Sequence, residues 1–154
     1  MSILKKKLML TAMGVQLPAI EDGHPNRTPF KGILTKVDEP SDKPPSGSHG
    51  HLVMIPTALA NAKLPTLIGM GVGFTPDLAD HDSRFKIGVI TEAEVQGHDL
   101  VVAGYLYAKD FASEVEDIRV MSREGIMGMS FEISDVSVMD PNEEVWTLHD
   151  LTFT

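Results

Sequence analysis

The feature that most constrains the fold lies in residues 86–107. Two runs rich in β-branched and aromatic residues, Lys86-Ile87-Gly88-Val89-Ile90-Thr91-Glu92-Ala93-Glu94-Val95 and Leu100-Val101-Val102-Ala103-Gly104-Tyr105-Leu106-Tyr107, flank Gln96-Gly97-His98-Asp99. Val, Ile and Tyr suit a pleated, half-buried surface, and a glycine in the intervening segment permits a tight reversal, so the pattern predicts an antiparallel hairpin. An isolated hairpin is marginal in water, so the chain must supply further strands to cover it. Candidates are Leu8 to Val15, Phe30 to Val37, His51 to Ile55, Met129 to Val138 and Val145 to Phe153. Two helices are expected. One is short, opened by Pro56 and Thr57 and running through Ala58–Ala62. The other is capped by Asp110, carries Phe111, Val115, Ile118 and either Met121 or Ser122 at helical spacing, and stops at Gly125. Strands outnumber helices, which predicts an α+β, mainly β, fold.

The chain has 154 residues, the size of one domain with a substantial core, so 1–154 is expected to fold as a single unit. A formal net charge of −9 argues against a nucleic-acid partner, which requires a clustered basic face. There is no cysteine, so disulfides, thiolate metal sites and cysteine nucleophiles are excluded. Lys5-Lys6-Lys7 before Leu8-Met9-Leu10 resembles a secretory leader, but the apolar run is broken by Gln16 and Pro18 and reads as a first strand. No stretch reaches the roughly 20 apolar residues of a membrane span, so no membrane partner is expected. Residues 38–50, with Pro40, Pro44, Pro45, Gly47 and Gly50 among Ser, Asp and Lys, predict an exposed, mobile loop. Leu151-Thr152-Phe153-Thr154 ends inside an apolar strand, which suggests a trimmed or self-processed end.

Chemistry concentrates in two motifs, Asp80-His81-Asp82 and Gly128-Met129-Ser130-Phe131-Glu132. A serine hydroxyl is a poor nucleophile until an imidazole within hydrogen-bond reach takes its proton. His81 and Ser130 fit those roles. Singly each has an ordinary alternative: Gly-x-Ser occurs by chance in strands and turns, and a histidine between two aspartates suits a surface loop. A metal-dependent hydrolase is the rival chemistry, because His49-Gly50-His51 with Asp80-His81-Asp82 supplies imidazoles and carboxylates.

Three segments, Asp80-His81-Asp82 with Ile87-Gly88, Leu100-Val101-Val102-Ala103-Gly104, and Arg123-Glu124-Gly125-Ile126-Met127-Gly128-Met129-Ser130-Phe131, resemble the prohead (capsid-maturation) proteases of tailed bacteriophages. That family is similar in fold to the herpesvirus assembly proteases. The resemblance covers Phe30 to Thr154 and implies a compact, antiparallel, barrel-like sheet with a few flanking helices. It implies His81 as base and Ser130 as nucleophile, in that order, with one hairpin and one helix between them. For the third catalytic member it offers the adjacent His149 and Asp150. Neighbours on a strand face opposite ways unless a bulge intervenes, so one of the two is expected to be a bystander. Asp150 aligns better and is chemically apt for orienting an imidazole. Asp82 is a weaker candidate for that role. Backbone amides near Gly125–Met129 are expected to form the oxyanion site, and Arg123 is either a helper there or a solvated helix-end charge. Met121, Met127 and Met129 are candidates to line a substrate groove.

The resemblance implies no cofactor and no metal. The partners it implies are phage scaffold and major capsid protein as substrates, the chain itself among the candidates, with a homo-oligomer allowed and the immature procapsid in the host cytoplasm as location. A catalytically silent assembly or scaffold-binding protein of the same fold is the alternative.

Overall fold

In a computed structural model, the structure describes residues 2–4, 8–11, 15–17, 24–73, 86–123 and 130–154. The elements are β1 (Ser2–Leu4), β2 (Leu8–Thr11), β3 (Val15–Gln16), β4 (Thr28–Lys36), β5 (Leu52–Met54), α1 (Thr57–Leu67), β6 (Gly71–Gly73), β7 (Lys86–Gln96), β8 (Asp99–Leu106), α2 (Ala112–Arg123), β9 (Ser130–Val138) and β10 (Val145–Phe153). The fold is α+β and mainly β, as expected. Among the described residues the strands form two five-stranded sheets and close no barrel. Sheet I runs β1-β9-β10-β5, with β2 also on β9, and sheet II runs β3-β4-β8-β7-β6. Among the described strands pairing is antiparallel except between β5 and β10. No helix among the described residues is long and apolar enough to cross a membrane.

The predicted hairpin is β7–β8, with Gln96 opposite Asp99 and Gly97 at φ 62°, a conformation glycine adopts without penalty. It lies at the centre of sheet II, paired with β4 on one side and β6 on the other.

Sheet I shows how apolar spacing encodes irregular pairing. On β9 the inward residues are Phe131, Ile133, Val136 and Val138, and on β10 they are Trp146, Leu148, Leu151 and Phe153. Each series steps by two, then three, then two, and a step of three in a strand of period two requires an extra residue. The register supplies one in each strand. Leu148 faces Val138 and Asp150 faces Ser137, leaving His149 over on β10; Thr152 then faces Ser134, leaving an extra residue on β9, where Asp135 adopts φ 51°. β1 and β2 lie end to end along β9, from Ser2 opposite Val138 to Thr11 opposite Ser130. Both sheets share one core, in which Phe30, Leu34, Ile87, Leu100, Val102 and Leu106 of sheet II join the sheet I series.

Segment 38–50 is more firmly held than its composition predicts. Pro40 bridges to Met54, the Ser41 amide donates to the Val53 carbonyl (2.8 Å), and the Val53 amide donates to Ser41 Oγ (3.0 Å). Just beyond it, His51 stacks on Trp146 with ring centroids 4.5 Å apart and bonds through Nδ1 to the Glu143 carbonyl (2.8 Å). Polar residues here serve as tethers to neighbouring strands, so little apolar burial is needed to order the segment.

At its start, Asp38 caps α1 from outside the helix. Pro56 occupies the N-cap without a side-chain bond, and the Asp38 carboxylate accepts from both the amide (2.8 Å) and the hydroxyl of Thr57. Those bonds, the Thr57 hydroxyl first, hold the Asp38 carboxyl below the usual carboxylate range. A lowered folded-state pKa means stability that is present above the unfolded value, near 3.9, and is lost as pH falls through the folded value. Asp38→Ala should therefore melt below the parent at neutral pH, and the gap should close on acidification into that window, as read by thermal unfolding across pH. α1 itself extends past the predicted end at Ala62 and through Pro65. Leu67 is buried and Leu64 packs on the core, while Pro65 and Asn61 face solvent, so the carbonyl that loses its amide partner is at the wet side of the helix.

Candidate active site

Ser130 is the first residue of β9, with its Cα opposite Thr11 of β2. His81, with Asp80 and Asp82, lies outside the described residues, as do Gly125 to Met129 and with them Met127. Their flanking elements are described, and these fix where the two motif-bearing segments attach. Residues 74–85 connect Gly73 to Lys86, two positions that face each other across β6 and β7. The His81 segment is thus joined to sheet II at that end. Gly88, near that end, faces Leu106 of β8, which faces Thr28 of β4.

Thr28 is where α2 docks. The Thr28 side chain is buried, and its Oγ1 accepts a hydrogen bond from Arg119 Nη2 at 2.9 Å. Arg119 also lies 3.8 Å from Glu116 on its own helix. The start of α2 is held by the same stretch of chain: Asn26 Oδ1 accepts from the amides of Lys109 (2.9 Å) and Asp110 (3.1 Å), and Asn26 Nδ2 donates to Asp110 Oδ2 (2.9 Å). Asp110, expected as a helix cap, is therefore engaged by Asn26. Val115 and Ile118 bury the inner face of α2 in the core, as their spacing predicted. The helix ends at Arg123, which is exposed at the C-terminal turn, and residues 124–129 lead from there to Ser130. At strand spacings of about 4.8 Å, β4 and β6 are roughly 14 Å apart across the sheet. The chain that delivers Ser130 and the chain that carries His81 are therefore anchored at the same end of sheet II.

Asp150 sits elsewhere. Its Cα faces Ser137, seven residues along β9 from Ser130, one of them taken up by the bulge, which at about 3.3 Å for each of the others is roughly 20 Å. The bulge at His149 leaves both His149 and Asp150 exposed. Asp150 Oδ1 pairs with Lys63 Nζ of α1 at 3.0 Å and accepts from the Leu151 amide at 2.9 Å. Lys63, then that amide, holds the Asp150 carboxyl below the usual carboxylate range. Of the other candidates, Met121 is half-buried on α2, and His51 of the His49-Gly50-His51 motif is engaged with Trp146 and Glu143. The Asn26 and Thr28 contacts had no sequence signal, since they join residues 83 to 91 apart.

No protein-family model matches the chain, and no curated protein sequence matches it. Among solved structures, that of the capsid assembly protease of bacteriophage T4, gp21, is similar, with a TM-score of 0.58 over 97% of this chain and 94% of that one, at 17% identity. The likeness spans nearly the whole of both chains and establishes a shared, phage prohead protease-like fold.

Proposed function

We propose that this protein is a serine endopeptidase that cleaves scaffold and capsid protein segments inside the immature shell of a tailed phage, with Ser130 as nucleophile and His81 as base. The observation that carries the reading is the near-complete overlay on a phage capsid assembly protease. The common anchoring of the Ser130 and His81 segments at one end of sheet II supports it. In this mechanism His81 accepts the Ser130 hydroxyl proton as Oγ adds to the scissile carbonyl, and then delivers that proton to the departing amine. Water, deprotonated by His81, hydrolyses the resulting acyl ester. Backbone amides in 125–129 are the proposed donors to the oxyanion.

The roughly 20 Å between Asp150 and Ser130 exceeds what one imidazole can bridge. Asp150 is accordingly assigned to holding β10 against α1 through Lys63, and the catalytic unit proposed is the Ser130–His81 pair. An acid that orients a catalytic histidine is worth about 10⁴-fold in turnover, whereas an exposed ion pair contributes at most about 1 kcal/mol to stability. Asp150→Asn should leave cleavage within about threefold of the parent; a loss near 10⁴-fold would return Asp150 to the site. The function itself is tested by co-expressing the chain with the scaffold and major capsid proteins of its phage and reading the products by mass spectrometry, with and without EDTA. Cleavage at defined bonds that survives EDTA is expected. Cleavage abolished by chelation would favour the metal-dependent alternative, and none under either condition would favour a silent assembly role.

A further inference from the structure

The Arg119–Thr28 bond ties together residues 91 apart in sequence, and nothing in the proposed chemistry has yet used it. Thr28 is 1% exposed, so its hydroxyl has no access to bulk water, and Arg119 brings a half-buried guanidinium to it. A polar pair at that depth needs its partners, because a lone buried donor or acceptor keeps its desolvation penalty. The bond lies one helical turn before Arg123, the last residue of α2, and the six residues 124–129 are all that separate that helix end from Ser130. Asn26 fixes the beginning of the same helix through three hydrogen bonds. The chain around the start of β4 thus grips the residues just ahead of α2 through Asn26 and the third turn of α2 through Thr28, and the two grips act differently. The Asn26 grip sets where the helix begins. The Thr28 grip sets its rotation and axial position at the end that feeds the nucleophile strand.

Resting on the assignment of Ser130 as nucleophile, we infer that Arg119 and Thr28 are positioning residues that fix the end of α2 from which the chain continues to Ser130. Neither touches substrate. Their effect runs through α2, and displacing a reacting group by about 1 Å costs on the order of 10²-fold in rate. The expected signature is a fall in the chemical step without weaker ligand binding.

The probe is a fluorophosphonate, which phosphonylates an activated serine by displacing fluoride while the base accepts the hydroxyl proton. Thr28→Val keeps the shape and strand preference of the side chain and removes the acceptor, whereas Thr28→Ser keeps the hydroxyl. Thr28→Val should lower the maximal labelling rate about 10- to 100-fold, with the half-saturating probe concentration within twofold of the parent, and Thr28→Ser should stay within about threefold. Arg119→Gln, on the more accessible partner, should reproduce the Thr28→Val phenotype and decides the matter if the valine variant does not fold. Equal labelling rates for parent, Thr28→Val and Arg119→Gln would overturn the inference, as would a serine variant as slow as the valine one. Labelling that persists in Ser130→Ala would instead overturn the nucleophile assignment, a failure distinguishable because it appears without any change at Thr28 or Arg119.

Discussion

Ser130→Ala is expected to reduce proteolysis by at least about 10⁴-fold while leaving the protein folded. Removing the hydroxyl leaves no atom to form the acyl ester, and the remaining groups can only favour direct attack by water. The size of the loss separates the readings. A nucleophile acts as one unit with its base, so His81→Ala should cost about as much, and the double variant little more than either single one. Groups that contributed independently would give effects that multiply. The melting temperature is the control, Ser130 being the first residue of β9 with its Cα opposite Thr11. Activity within tenfold of the parent would remove Ser130 from the chemistry.

Gly104→Ala should cost stability on a scale few single substitutions reach. An added Cβ would lie 2.0 Å from the Val89 carbonyl oxygen and 3.0 Å from Ile90 Cα, and these are backbone atoms of the paired strand that cannot rotate away. Gly104 faces Ile90, next to the point where Thr91 is bulged out of β7 and the register shifts. The close approach arises where the central hairpin bends, and relief requires β7 and β8 to separate. A penalty above about 4 kcal/mol is expected, against a total stability of about 5–15 kcal/mol for domains in general. The variant should be largely insoluble or molten. Gly97→Ala is the control, since the Cβ there meets nothing within 4 Å and only the positive φ is strained; it should cost about 1–2 kcal/mol. Chemical denaturation of the three proteins checks both figures, and a Gly104→Ala variant as stable as Gly97→Ala would mean the strands can part cheaply.

These glycines also explain what was legible in the sequence. Ile87-Gly88 and Leu100-Val101-Val102-Ala103-Gly104 carried part of the family resemblance, and in the fold both glycines sit where β7 and β8 approach too closely for a side chain. The resemblance at those positions is a matter of backbone packing. Periodicity located the long strands because each has one buried face, and it located α2 through Val115 and Ile118. It failed for β6, where Gly71-Val72-Gly73 offers a single apolar side chain, and for the end of α1, where burial of Leu67 prevails over the helix-breaking tendency of Pro65. Loop 38–50 read as free because its order depends on partners such as Val53 and Met54, whose proximity no local pattern reveals. The spacing of inward residues on β9 and β10 did contain the double bulge, as the step of three in each series. What spacing could not supply was register. Alternation posed the choice between His149 and Asp150 as one of direction, whereas the pairing of Asp150 with Ser137 makes it one of distance from Ser130.

The most direct test of the serine assignment is to treat the protein with a fluorophosphonate, digest it, and map the adduct by tandem mass spectrometry, in parallel with His81→Ala. The account predicts a single phosphonylated residue, Ser130, with labelling slowed at least about 10²-fold when His81 is replaced, the scale of a lost general base. Labelling of another residue, or labelling of Ser130 that is indifferent to His81, would contradict it.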